Sequence, residues 1–186
     1  MGDVAMLVPI VASLAKSYPN IRITVLSQPF TKPFFDGLAN NVGFMAANVK
    51  KDYKGVHGLN LLYRRLLAKH FTAVADMHDV LRTKYLRMRF NVDRYKVAHI
   101  NKHHKERRKL CQKDGKQLVQ LPTSFDNYAE VLNKLGYPIT YQFDSIATNN
   151  IDIDNNSKYH IGIAPFAAHS GKIYPIQKME QVIQLL

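Results

Sequence analysis

Short apolar runs alternate with longer segments of helical period along this 186-residue chain, and that alternation confines it to an α/β fold. Ile21 to Leu26 is β-branched and alternating, a strand entered through the turn Tyr18-Pro19-Asn20. A weaker strand follows at Val42 to Ala46, after a loop from Ser27 to Pro33 and a short helix around Phe34 to Leu38. Phe71 to Asp76 is an apolar run ending in an acid, as in a buried parallel strand, and Lys96 to Ile100 is another strand. Helices are expected between them. Gly58 to His70 sets Leu59, Leu62, Leu66 and Leu67 on one face and Arg64, Arg65 and Lys69 on the other. Val80 to Phe90 is helical and basic. Ser124 to Leu135 has Tyr128, Val131, Leu132 and Leu135 on its apolar face, Ser124 as N-cap, and Gly136 and Pro138 as its stop. The expectation is a mainly parallel sheet with flanking helices, whose ligands gather beyond the carboxyl ends of the strands.

The first helix sharpens that expectation. Val4, Ala5, Leu7, Val8, Val11, Leu14 and Ala15 recur at helical spacing, and Asp3 stands where an N-cap belongs. A helix that feeds a strand of this kind ordinarily follows another strand, so a strand is expected ahead of Met1. Toward the other end, Asn149 to Lys158 is poor in apolar residues and reads as a linker, dividing a domain at 1–148 from a second at 159–186. Tyr159 to Pro165 restarts a strand, and Met179, Val182, Ile183 and Leu186 open a helix. One strand and one helix cannot bury themselves, so the second domain is expected to continue past Leu186.

Composition narrows the chemistry. The chain is 46% hydrophobic and 22% charged, enough to build a core, and no apolar stretch reaches the roughly 20 residues that span a bilayer. A cytoplasmic location is expected. Cys111 is the single cysteine, which excludes an internal disulfide and a cysteine-based metal site. The formal charge of +12 is concentrated between Arg82 and Lys116, where 13 basic residues face three acids. Such a field gathers anions: nucleic acid, an anionic membrane surface or a phosphorylated substrate.

Three segments together resemble glycosyltransferase family 9, the ADP-heptose:lipopolysaccharide heptosyltransferases. The first is Gly2-Asp3-Val4-Ala5-Met6 leading through Pro9, Leu14 and Tyr18-Pro19 to the strand at Ile21 to Leu26. The second is Ala73-Val74-Ala75-Asp76 with His78 and Arg82 behind it. The third is Ile161-Gly162-Ile163-Ala164-Pro165 followed by Ala167-Ala168-His169-Ser170-Gly171-Lys172 and Tyr174-Pro175. The resemblance implies the N-terminal, acceptor-binding half of a two-domain GT-B enzyme with Rossmann-like domains, plus the start of the donor-binding domain. It implies inverting transfer of heptose or a related sugar from an ADP-sugar to a lipopolysaccharide core acceptor, at the cytoplasmic face of the inner membrane. No cofactor or metal is implied; the nucleotide sugar is a substrate.

Asp3 matches the family's catalytic base, which takes the proton of the acceptor hydroxyl. Lys172 matches its phosphate-contacting lysine, and Ser170 and Gly171 belong to the same donor-phosphate loop. His78, Arg82, Lys102, Lys105, Arg107 and Arg108 lie beyond strand ends on the side that receives an acceptor rich in carboxylate and phosphate, and arginine forks read such groups bidentately. Asp76 is expected to orient a neighbour or cap a loop. This chain alone is expected to be inactive, since most of the donor half is missing.

Other motifs are weaker. Asp152-Ile153-Asp154 mimics a metal-binding Asp-X-Asp but sits in the linker. His99 and His103-His104 have the ligand type for a metal, yet adjacent histidines do not share a helix face and the flanking Lys and Arg would repel a cation. No Gly-X-Gly-X-X-Gly or Walker loop is present. The rival reading is a basic α/β module that binds nucleic acid or another polyanion, and it rests on charge alone; Arg94 to Lys116 contains one aromatic residue, Tyr95.

Overall fold

A computed structural model of the chain describes residues 1–116, 118–143 and 161–186. It divides into two units, Met1–Ala147 and Thr148–Leu186. The first unit is α/β and comprises helices α1 (Gly2–Ser17), α2 (Gly55–Leu67), α3 (Leu81–Val92), α4 (His104–Leu110) and α5 (Ser124–Lys134) with strands β1 (Ile23–Ser27), β2 (Val42–Ala46), β3 (Ala73–Asp76) and β4 (Lys96–His99). The alternation expected from the sequence is present, with ends displaced by one to three residues.

The strands form two parallel pairs. β1 pairs with β2 in the register Ile23 to Val42 through Ser27 to Ala46, and β3 pairs with β4 from Ala73–Lys96 to Asp76–His99. Neither pair is hydrogen-bonded to the other, so the expected continuous sheet is interrupted among the described residues. Shared side-chain clusters nevertheless put both pairs in one layer. Ile23 of β1, Ala73 of β3 and Ala98 of β4 meet Ile10 and Leu14 of α1 and Tyr128, Val131 and Leu132 of α5. Met45 of β2, Val74 of β3 and Val97 of β4 meet Leu62, Tyr63 and Leu66 of α2 and Leu86 and Phe90 of α3. Helices α1 and α5 therefore cover one face and α2 and α3 the other, a three-layer α/β arrangement consistent with a Rossmann-like fold.

Local chemistry explains the helices. In α2 the buried Leu59, Leu62, Tyr63 and Leu66 fall on one stripe, while Arg64 and Arg65 stay exposed. Its Gly58 has no room for a side chain, since a Cβ there would stand 2.3 Å from the Tyr53 carbonyl carbon. The buried Ser13 of α1 donates to Pro9 O at 2.8 Å and accepts from Gln142 N at 3.0 Å, which docks the segment after α5 onto α1. Asn41 Nδ2 reaches the carbonyls of Ala15, Tyr18 and Ile21, satisfying the orphan acceptors where α1 ends. Helix α5 ends at Gly136, whose φ of +82° is the left-handed turn that glycine adopts without strain.

Several expectations are corrected. Asp3 is not the N-cap of α1: Met1 holds that place, and Asp3 lies inside the first turn. Thr123, not Ser124, caps α5; its hydroxyl accepts from Asp126 N, and the Asp126 carboxylate takes the Thr123 N–H at 2.8 Å, a reciprocal capping box. The segment before β2 is a 3₁₀ helix at Pro29–Phe34 rather than a helix around Phe34 to Leu38. Within the basic stretch from Asn101 to Lys116, α4 fills seven residues.

The second unit is described on its own over residues 161–186. A 3₁₀ turn at Ser170–Lys172 precedes helix α6 (Ile176–Gln184). Residues 161–165, expected as part of a strand, form none, and Ile161 and Ile163 are exposed. The linker at 149–158 and its Asp152-Ile153-Asp154 lie outside the described residues.

Candidate functional site

Helix α1 runs antiparallel to β1. Its Val8 and Val11 pack on Val25, while its C-terminal end is tied by Asn41 to the entrance of β1. Its N-terminus, with Asp3, consequently lies at the carboxyl end of the strands. The loop after β3 reaches the same end, since β3 runs parallel to β4, and the loop after β4 carries His103, which meets Asn127 next to the Tyr128 bonded to Asp3.

Helix α5 ties this end together. Tyr128 donates its hydroxyl to the backbone carbonyl of Asp3 at 3.4 Å, and the adjacent Asn127, almost fully buried, meets His103 Nε2 through its Oδ1 at 3.0 Å. Burial raises the Tyr128 pKa above its ordinary value, and the negative charge of Asp3 adds to the rise. The Asp3 carboxylate is exposed and its field reaches Tyr128. His103 starts α4 with φ +51°, a left-handed conformation steadied by Asn101 Oδ1, which accepts from His103 N at 3.0 Å. Two neighbouring residues of α5 thus hold the start of α1 and the loop after β4.

The loop after β3 is organised by Asp76. Its buried Oδ1 accepts from His78 N at 3.0 Å and Asp79 N at 2.9 Å, and its Oδ2 takes the Arg87 guanidinium at 3.1 Å. Arg87 Nη1 also lies 3.1 Å from Asp79 Oδ1, but that oxygen receives no hydrogen bond, so the contact is Coulombic only. Asp79, at φ +43°, turns the chain toward α3. Asp76 therefore shapes the loop, as the sequence suggested; His78 on the loop and Arg82 in the first turn of α3 are both exposed.

Lys105, Arg107 and Arg108 are exposed on α4, a helix without a buried residue, while Lys102 before it is half-buried. Among the described residues none of these four is ion-paired. Unneutralised cations on an unpacked helix are free to meet an anionic ligand. Ser170, Gly171 and Lys172 form the exposed 3₁₀ turn of the second unit.

His103 and Asn127 are the participants the sequence reading missed. His103 stood out only as part of a weak metal motif, and its partner lies 24 residues away. Among the described residues no three His, Cys, Asp or Glu side chains gather in a group able to hold a metal. No described helix is long and apolar enough to cross a membrane. No family model matches the chain, and comparison with curated proteins and with solved structures returns no match.

Proposed function

We propose that this chain supplies the acceptor side of an inverting, metal-independent glycosyltransferase, acting on an anionic glycolipid of the lipopolysaccharide-core type at the cytoplasmic membrane surface. The observation that carries the reading is the exposed carboxylate of Asp3 at the carboxyl end of the strands, on a residue whose backbone carbonyl accepts from Tyr128 of the same helix that holds the entrance to the cationic α4.

The residues of the two units have separate tasks in the proposed reaction. The acceptor hydroxyl gives its proton to Asp3 as its oxygen attacks the anomeric carbon, and the nucleoside diphosphate departs. A positioned base contributes roughly 10²–10⁴-fold. Arg82, Lys102, Lys105, Arg107 and Arg108, together with His78, bind acceptor carboxylate and phosphate. Lys172 with Ser170 and Gly171 meets the donor phosphates, where charge develops in the transition state. ADP-heptose as donor rests on the family resemblance of the quoted motifs.

Replacing Arg107 and Arg108 by Ala is expected to weaken binding of an anionic core glycolipid to the chain by about tenfold, measured by calorimetry, as for loss of charge-assisted hydrogen bonds. Unchanged glycolipid binding contradicts the acceptor role of α4. Tight duplex-DNA binding with a steep salt dependence would support the polyanion-binding alternative instead.

A further inference from the structure

On the helical face formed by α2 and α3 the structure has a second cationic feature, distinct from α4. A cavity of about 190 Å³ opens between these helices, lined by His57, Asn60, Leu61, Tyr63, Arg64 and Arg89. His57, Asn60 and Arg64 stand at i, i+3 and i+7 on α2, so they share one face of that helix. Arg89 comes from α3.

The polar groups here are fixed in a way that leaves donors outward. Asn60 Oδ1 accepts from Arg89 Nη1 at 2.7 Å and from the Tyr85 hydroxyl at 2.9 Å. Arginine has only donors, so the amide oxygen must face it, and both oxygen lone pairs are then used. The two N–H bonds of the Asn60 amide point away from that pair of partners. Arg89 is held a second time, with its guanidinium 4.7 Å from the centroid of the Tyr63 ring. A guanidinium fixed by a stack and one hydrogen bond keeps further N–H groups for a ligand.

Negative charge is absent from the lining. The carboxylate of Asp93 is bonded by the Tyr63 hydroxyl and does not line the cavity. Burial, with the Asp93 contact, pushes the Tyr63 pKa up to about 12, so the phenol stays neutral at physiological pH.

We propose that the α2–α3 groove is an anion site that binds a phosphate group, with Arg64 and Arg89 as its charged clamp and the Asn60 amide and His57 as further donors. Free phosphate monoesters and the headgroup of an acidic phospholipid share that chemistry.

Titration of the chain with inorganic phosphate, followed by ³¹P and amide NMR, tests the assignment. Saturable shifts centred on Asn60, Arg64 and Arg89 are expected. Arg64→Ala, an exposed substitution, should weaken binding by about tenfold as one charge-assisted contact is lost. Arg89→Lys, which keeps the charge but not the fork, should weaken it as well. The Arg107→Ala/Arg108→Ala double variant should bind phosphate at this groove as the wild type does. Co-sedimentation with phosphatidic acid vesicles, against phosphatidylcholine vesicles, separates the sources: Arg64-dependent capture by the acidic vesicles alone identifies a headgroup, and phosphate binding without such capture identifies a free ester. Absence of saturable phosphate binding, or binding unaffected by Arg64→Ala, overturns the proposal.

Discussion

Arg87→Met removes the guanidinium that faces both carboxylates of the β3–α3 loop while keeping an apolar stem of similar reach. Asp76 Oδ2 and Asp79 Oδ1 each lie 3.1 Å from Arg87 Nη1, and the three side chains are 5%, 14% and 16% exposed for Asp76, Asp79 and Arg87. Stripping one partner from a buried ion pair costs about 3–5 kcal/mol, because the remaining charge stays desolvated. Here Asp76 keeps two backbone donors, His78 N and Asp79 N, and the site is not fully sealed. The lower end applies, about 3 kcal/mol. Urea denaturation followed by far-UV circular dichroism should show that loss in the midpoint with an unchanged slope. Asp79→Asn in the same background should recover part of it, because Asp79 Oδ1 has a Coulombic contact and no hydrogen bond to lose. A loss below about 0.5 kcal/mol, the range of ordinary surface substitutions, would refute the claim that Arg87 neutralises this loop.

Three further outcomes follow from particular contacts. Gly58→Ala should destabilise by about 1–3 kcal/mol despite the better helix propensity of alanine, since its Cβ would meet Tyr53 backbone at 2.3 Å; calorimetry showing equal or greater stability contradicts that packing. Ser13→Ala takes the acceptor from Gln142 N and should cost about 1–2 kcal/mol, with faster amide exchange at Gln142. The Thr123 cap holds the Asp126 pKa below its usual value. Its contribution is therefore complete above about pH 4 and fades as pH falls through the lowered pKa, so the stability gap between wild type and Thr123→Ala should narrow on acidification.

What the sequence disclosed and what it concealed divide along physical lines. Element type was legible wherever period and punctuation agreed, as at β2, α2 and the Gly136 stop, because those signals are local. The interruption between the β1–β2 and β3–β4 pairs was not, since strand pairing depends on backbone partners distant in sequence. The same holds for residues 161–165, whose apolar alternation is a strand pattern although no partner strand is present among the described residues. At the candidate site, the position of Asp3 followed from its place before an apolar helix, while its cap role did not, as the helix starts two residues earlier than that cap requires. The tether through Tyr128, Asn127 and His103 was hidden because each side chain had a simpler local reading: core, polar helix residue, weak metal ligand.

The proton-accepting role proposed for Asp3 is tested most directly by turnover. In a protein joining this chain to a nucleotide-sugar-binding half, Asp3→Asn keeps the size of the side chain and the Tyr128 contact to the backbone carbonyl, yet removes the base. The account predicts a fall in kcat for transfer from ADP-heptose to a lipopolysaccharide core acceptor of at least about a hundredfold, with donor affinity nearly unchanged. Turnover close to that of the wild type would contradict it.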